Sequence, residues 1–151
     1  MTNKKGYLTT TLPYVNSTPH IGFALELVQA DSYVRARREW WGEEVFFNTG
    51  TDEHGLKIFQ KAQEAKLEPK DYCDQMAAKF QDLAKQLNTS ITAFTRTTNP
   101  QHKHAAQVFW KKCLENGDIY KGSYKTKYCV GCELEKTDSE LVDGKCQLHP
   151  N

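Results

Sequence analysis

Thr10–Phe23 reads TTLPYVNSTPHIGF, and the order of residue types in this stretch decides the fold. Just before and into it, Tyr7-Leu8-Thr9-Thr10 reads as β-strand, and a strand is predicted over Tyr7–Leu12. Pro13 ends that strand, because proline brings no N–H to a ladder. After it, Ile21, Ala24, Leu25, Leu27, Val28, Tyr33 and Val34 recur at helical spacing as far as Trp41, and Gly42 suits the C-cap. Thr18 is the expected N-cap and Pro19 the first helical residue. A strand, a tight loop and a helix start together make a seat for phosphate. The first turn of a helix offers unpaired N–H groups and a partial positive charge. Gly22 lets a ligand approach the backbone, and His20 adds a side-chain donor.

Beyond this opening the same alternation repeats. Glu44–Thr49 (EVFFNT) is apolar and β-prone. A polar turn, Gly50-Thr51-Asp52-Glu53-His54-Gly55, leads into a helix over Lys57–Ala65. A further helix is predicted over Pro69–Leu87, with Tyr72, Met76, Phe80, Leu83 and Leu87 on one stripe that packs on the core. Phe94–Thr98 reads as a short strand, and a helix runs from Pro100 to Asn116, closed by Gly117. His102 and His104 fall on different faces of that helix and read as surface residues. Strand and helix in alternation predict an α/β fold with a parallel sheet. Both polar loops follow strands, at the carboxyl edge where ligands bind in open α/β sheets. At Ile119–Cys129 (IYKGSYKTKYC) the texture turns to antiparallel β, predicted as a hairpin with a Gly-Ser turn. The expected division is therefore 1–117 and 118–151.

The chain has 151 residues, about one domain, and a formal charge of +1. Near-neutrality gives no argument for a nucleic-acid surface, and Lys121, Lys125 and Lys127 read as a solvated face. No apolar run approaches the ~20 residues that span a membrane. The N-terminus has no apolar core of signal-peptide length. A cytoplasmic location is expected.

Of five cysteines, three fall in a pattern with one histidine: Cys129-Val-Gly-Cys132, thirteen intervening residues, then Cys146-Gln-Leu-His149. Two residues between ligands let a tight turn aim both at one tetrahedral ion, and Gly131 and Gly144 permit such turns. The expectation is a structural zinc site, closed by four protein ligands. Thiolate ligands agree with a reducing compartment. Cys73 and Cys113 are isolated on predicted helices and read as packed residues.

Three blocks in order, LPYVN…PHIG, NTGTDEHG at Asn48–Gly55 and the cysteine cluster, resemble the methionyl-tRNA synthetase family of class I aminoacyl-tRNA synthetases. The resemblance covers Tyr7 to Pro150. It implies the N-terminal half of a Rossmann-like sheet, followed by the start of an inserted antiparallel subdomain with a single zinc knuckle. It further implies ATP-dependent activation of methionine, with Mg2+, and transfer to tRNA(Met). His20 would bind the ATP phosphates and act in catalysis. Asn16, Gly22, His54 and Gly55 would lie at the nucleotide. Asp52 would hold the α-amino group of methionine, and Leu12 and Tyr14 would line its pocket. Read from the residues alone, Asp52 is equally a turn residue, Tyr14 equally a packing residue and His20 equally a helix-start residue.

Two departures stand out. The fourth position of the HIGH signature is Phe23, which donates no hydrogen bond; loss of one such donor costs on the order of 2.7–4 kcal/mol of transition-state stabilisation. The chain also ends at Asn151 without the family's Lys-Met-Ser-Lys-Ser loop. It therefore looks like the N-terminal part of such an enzyme, inactive alone, with a complementary C-terminal chain as a candidate partner. The rival expectation is a catalytically dead module that binds nucleotide, RNA or a partner. Class I enzymes for valine, leucine, isoleucine or cysteine are a third option, and the TGTDEHG block argues against them.

Overall fold

A computed structural model describes residues 4–149. Three parallel strands, β1 (Lys5–Thr9), β2 (Glu44–Thr51) and β3 (Ala93–Arg96), form one sheet in the order β1-β2-β3. β1 and β2 pair from Lys5↔Glu44 to Thr9↔Asn48, and β2 and β3 from Asn48↔Ala93 to Thr51↔Arg96. α1 (Ile21–Trp41) connects β1 to β2, while α2 (Leu56–Glu64) and α3 (Pro69–Gln86) connect β2 to β3. β2 is central and buried without interruption from Phe47 to Thr51, as a strand covered on both faces should be. The main core gathers Val15, Phe23, Leu27, Ile58, Ala62, Tyr72, Met76 and Phe80, with Leu83 and Leu87 packed against it. A second cluster joins Val34, Val45 and Phe47.

The α/β class holds, and several local expectations are corrected. β1 starts and ends earlier than Tyr7–Leu12, although Thr10 N–H still reaches the Asn48 carbonyl at 3.2 Å. β2 continues past Thr49 through Gly50 to Thr51, because β3 pairs with those residues. The N-cap of α1 is His20 and not Thr18. Only part of the predicted apolar face of α1 is inside. Phe23, Ala24, Leu27 and Val34 are buried, whereas Ile21, Leu25, Val28 and Tyr33 are exposed. The helix also carries a buried carboxylate. Asp31 accepts from Ser90 N–H and Ser90 Oγ, both at 2.6 Å, and from Arg35 Nε at 2.6 Å. Burial raises its pKa, but the Ser90 and Arg35 donors outweigh that and hold it below the ordinary value. Arg38 reaches the Ser90 carbonyl, the Val45 carbonyl and Thr92 Oγ1. Arg35, which also reaches the Asn88 carbonyl, and Arg38 thus pin the loop before β3 to α1.

Gly50 explains the close pairing of β2 with β3. A Cβ on Gly50 would lie 1.8 Å from the Thr95 carbonyl oxygen, which belongs to the rigid ladder and cannot yield. Gly50→Ala is expected to cost about 3 kcal/mol, the upper end of overpacking penalties. Urea denaturation checks this; a loss under ~1 kcal/mol would contradict so close an approach of the two backbones.

Packing divides the chain into residues up to Ala105 and residues from Ala106 onward, so the division falls within α4 (Pro100–Glu115). α4 buries none of its residues. In the second unit the expected Ile119–Cys129 hairpin is not formed. Residues 118–126 have no regular structure, and β4 (Lys127–Cys129) pairs antiparallel with β5 (Leu134–Lys136). The turn is thus the Cys129–Cys132 segment with Glu133 at φ 53°, not Gly122-Ser123. β6 (Leu141–Val142) and β7 (Lys145–Cys146) form a second hairpin across Asp143-Gly144, both at positive φ, as a two-residue Asp-Gly turn requires.

Candidate functional site

The loop leaving β1 is fixed at several points. Thr10 Oγ1 and Thr49 Oγ1 lie 2.6 Å apart in the interior. Thr11 gives its N–H and its hydroxyl to the two oxygens of Glu26 on α1, each at 2.7 Å. Val15 is fully buried in the core. Between these anchors the loop bonds to the loop after β2. Asp52 N–H donates to the Pro13 carbonyl at 2.9 Å, and Val15 N–H donates to the Asp52 carbonyl at 3.2 Å, making a parallel bridge between Tyr14 and Asp52. The two glycine- and proline-punctuated loops therefore form one rim at the carboxyl end of the sheet.

His20 closes the first loop onto α1. Its Nδ1 accepts the N–H of Gly22 at 3.1 Å and of Phe23 at 3.3 Å. With Nδ1 an acceptor, the neutral ring carries its proton on Nε2, so the exposed edge of His20 is a donor. Gly22 has a second reason to be glycine: a Cβ there would sit 3.0 Å from the imidazole Nδ1 and Cε1. A cleft of about 200 Å³ is lined by Tyr14, Asn16, His20, Phe23 and Phe80, among others. Phe23 is buried, its ring edge-on to Phe80 at 5.3 Å between centroids. Its side chain thus serves packing at the base of the cleft.

Of the other residues singled out from sequence, Leu12 is half-buried and Tyr14 is 40 % exposed. Asp52 is half-buried, and its Oδ1 accepts from Thr97 Oγ1 at 3.3 Å and His54 N–H at 3.4 Å. His54 is exposed, with Nε2 3.2 Å from the Thr97 carbonyl. Gly55, at φ 123°, starts α2 in a conformation that other residues rarely adopt. Asp52, His54 and Gly55 do not line the His20 cleft; they belong to the neighbouring part of the rim.

Sequence reasoning missed the residues beneath the rim. Glu53 is buried, and Arg96 holds both its oxygens, at 2.6 and 3.0 Å, while also reaching Asp74 at 2.6 Å. Thr51 donates to Glu53 at 2.8 Å, and Thr98 donates to its other oxygen. The Glu53 hydrogen bond, followed by the one to Asp74, raises the Arg96 pKa, so the guanidinium is permanently charged. A period-two reading of Thr51-Asp52-Glu53 was the available signal: Thr51 and Glu53 face inward and Asp52 outward.

The second unit assembles the cysteine cluster. The ligand atoms of Cys129, Cys132, Cys146 and His149 all lie within 4.8 Å of one another. Cys132 Sγ is 3.6 Å from Cys146 Sγ and 3.2 Å from His149 Nδ1, and Cys129 Sγ is 3.8 Å from His149 Nδ1. A tetrahedron with zinc–ligand bonds has edges of about 3.8 Å (S···S) and about 3.5 Å (S···N), so these atoms fit one such ion. A Cβ on Gly131 would lie 2.3 Å from His149 Cγ, so glycine is required for the imidazole to approach. Desolvation and bonds to its cysteine neighbours push the Cys132 thiol up to about 11. Desolvation also opposes ionisation at Cys146, but backbone N–H groups of His149 and Leu148 bring it down to about 6.

Together, a parallel sheet with two joined loops at its carboxyl rim and a Cys3His cluster define an α/β nucleotide-binding type of protein with a metal-capable knuckle. The sequence profile described as tRNA synthetases class I (M) matches residues 6–150, and the chain belongs to that family. It is 47% identical over 138 residues to the methionine–tRNA ligase of Thermotoga maritima, covering 91% of this chain and 22% of that protein. It is 46% identical over 145 residues to the methionine–tRNA ligase of Thermosynechococcus vestitus, covering 95% of this chain and 27% of that one. Mycobacterium tuberculosis methionyl-tRNA synthetase, solved in complex with methionyl-adenylate, superposes with a TM-score of 0.88 at 38% identity, covering 94% of this chain and 28% of that chain. The chain thus spans about a quarter of the length of these relatives. Among the described residues, no helix is long and apolar enough to cross a membrane.

Proposed function

We propose that this chain is the ATP- and methionine-binding part of a methionine–tRNA ligase that works in the cytoplasm. In the first step a methionine carboxylate oxygen attacks the α-phosphorus of Mg2+-bound ATP. The bond from that phosphorus to the oxygen bridging to the β-phosphate breaks, giving methionyl-adenylate and pyrophosphate; a terminal ribose hydroxyl of tRNA(Met) then attacks the methionyl carbonyl carbon, loses its proton and displaces AMP. The residues of this chain bind and orient. Asp52 faces the methionine ammonium, a charge-assisted match, while Leu12 and Tyr14 border its thioether chain. His20, through the Nε2–H left outward by its capping bonds, offsets charge on the phosphates in catalysis. Asn16, Gly22, His54 and Gly55 complete the nucleotide side. Cys129, Cys132, Cys146 and His149 hold one structural zinc in the inserted segment, which we delimit as 118–151, after a nucleotide-binding part at 1–117. A complementary C-terminal polypeptide is the partner we assign to the edge of β1 that pairs with no strand among the described residues.

The observation that carries this reading is the Tyr14–Asp52 bridge, which ties the His20 loop and the Asp52 loop into one rim in a chain of this family. Thermal stabilisation by free amino acids with ATP tests it, because a ligand that binds only the folded state raises Tm. Methionine is expected to stabilise selectively; selective stabilisation by valine or leucine would contradict it. Phe23 favours a second reading, in which the chain binds nucleotide, RNA or a partner without catalysis. That reading requires retained ATP binding with no methionine-dependent ATP–pyrophosphate exchange, even when the complementary polypeptide is supplied.

A further inference from the structure

The residue directly after β3 contacts four successive residues of the TDEHG loop. Thr97 N–H donates to the Thr51 carbonyl at 3.2 Å. Its hydroxyl accepts Glu53 N–H at 2.8 Å and donates to Asp52 Oδ1 at 3.3 Å. Its carbonyl lies 3.2 Å from His54 Nε2. The hydroxyl therefore has a preferred direction: with one lone pair accepting Glu53 N–H, its proton is aimed at Asp52. Among the described residues, the side-chain bonds of Asp52 both end on Oδ1, from Thr97 and from His54 N–H, so Oδ2 stays available to an incoming group.

We infer that Thr97 is a positioning residue for amino-acid selection: its hydroxyl locks the Asp52 carboxylate so that Oδ2 meets the ammonium of the substrate. Thr97 itself touches no substrate in this arrangement. The inference rests on the reading of Asp52 as the ammonium-binding group. A free carboxylate on a half-exposed loop samples several rotations about its terminal torsion, which is broad. Two donors on one oxygen, at 3.3 and 3.4 Å, narrow that freedom before the ligand arrives, so less ordering is left to bind against.

The test compares Thr97→Val, which keeps shape and removes the hydroxyl, with Thr97→Ser, which keeps the hydroxyl. Calorimetry measures methionine and ATP binding separately, and hydrogen exchange follows the Glu53 amide. Thr97→Val is expected to weaken methionine binding about tenfold, the worth of one charge-assisted hydrogen bond. ATP affinity is expected to stay within about twofold, because no phosphate-facing group is touched. Thr97→Ser is expected to restore methionine binding, and the Glu53 amide to exchange faster in the valine variant only. Thr97→Ala is read in the same way if the valine variant does not fold. Wild-type methionine affinity in the hydroxyl-free variant overturns the inference, as does an equal loss of ATP binding, which would mark a purely structural role. If the wild-type chain takes no methionine while Glu53 exchange still responds to the valine change, the reading of Asp52 is what has failed.

Discussion

Glu53→Ala is expected to destabilise the chain by about 3–5 kcal/mol, the cost of breaking a buried ion pair by removing one partner. The Glu53 carboxylate is out of solvent, and the Arg96 side chain is only 21% exposed. Truncation leaves that guanidinium with Asp74 as its acidic partner among the described residues and strips Thr51 and Thr98 of their acceptor. A domain of ordinary stability has about 5–15 kcal/mol in total, so the variant sits near the edge of folding. Chemical denaturation with far-UV detection measures the loss. A change below ~1 kcal/mol would mean the network is not formed. Replacement of Glu53 together with Arg96 by apolar residues of similar volume is expected to recover much of the stability, which separates a pairing defect from a packing defect.

The second large effect concerns the knuckle. Cys146→Ser is expected to drop bound zinc from one per chain to a small fraction, and to unfold residues 127–149. The two hairpins there are two or three residues long per strand, and their buried apolar area is small. Metal binding of about 10–16 kcal/mol in such small sites is folding free energy, so the hairpins are expected to be lost without it. Elemental analysis reads the metal, and amide spectra read the fold. The residues of the β1-β2-β3 sheet should keep their dispersion, since no residue of that sheet belongs to the ligand set. Full zinc content in the variant would contradict the ligand assignment.

The sheet was legible because its signals are local: β-prone apolar runs, proline and glycine stops, and helical periodicity between them. The convergence of Cys129, Cys132, Cys146 and His149 was legible because their spacing leaves few other uses for three cysteines and a histidine. What was not legible depends on pairing between distant segments. Gly50 read as a turn residue because only the register with Thr95 makes it part of a strand. Glu53 read as part of a polar turn because its arginine lies beyond an intervening helix hairpin, in β3. His20 is not a usual capping residue, so propensity alone points to Thr18, whereas the imidazole folds back to accept the Gly22 and Phe23 N–H groups. The hairpin at Ile119–Cys129 was misplaced because alternation fixes a strand but not its partner, and the cysteine turn set the register of β4 instead.

If the His20 loop and the Asp52 loop make one seat for an amino acid and ATP, a ligand that joins the two must feel both. Titration of a non-hydrolysable methionyl-adenylate analogue into the wild-type chain, His20→Ala and Asp52→Asn tests this most directly. One site per chain is expected, with at least a ~10-fold weaker affinity in each variant, one charge-assisted contact being lost in each. Unchanged affinity in either variant would contradict a shared seat.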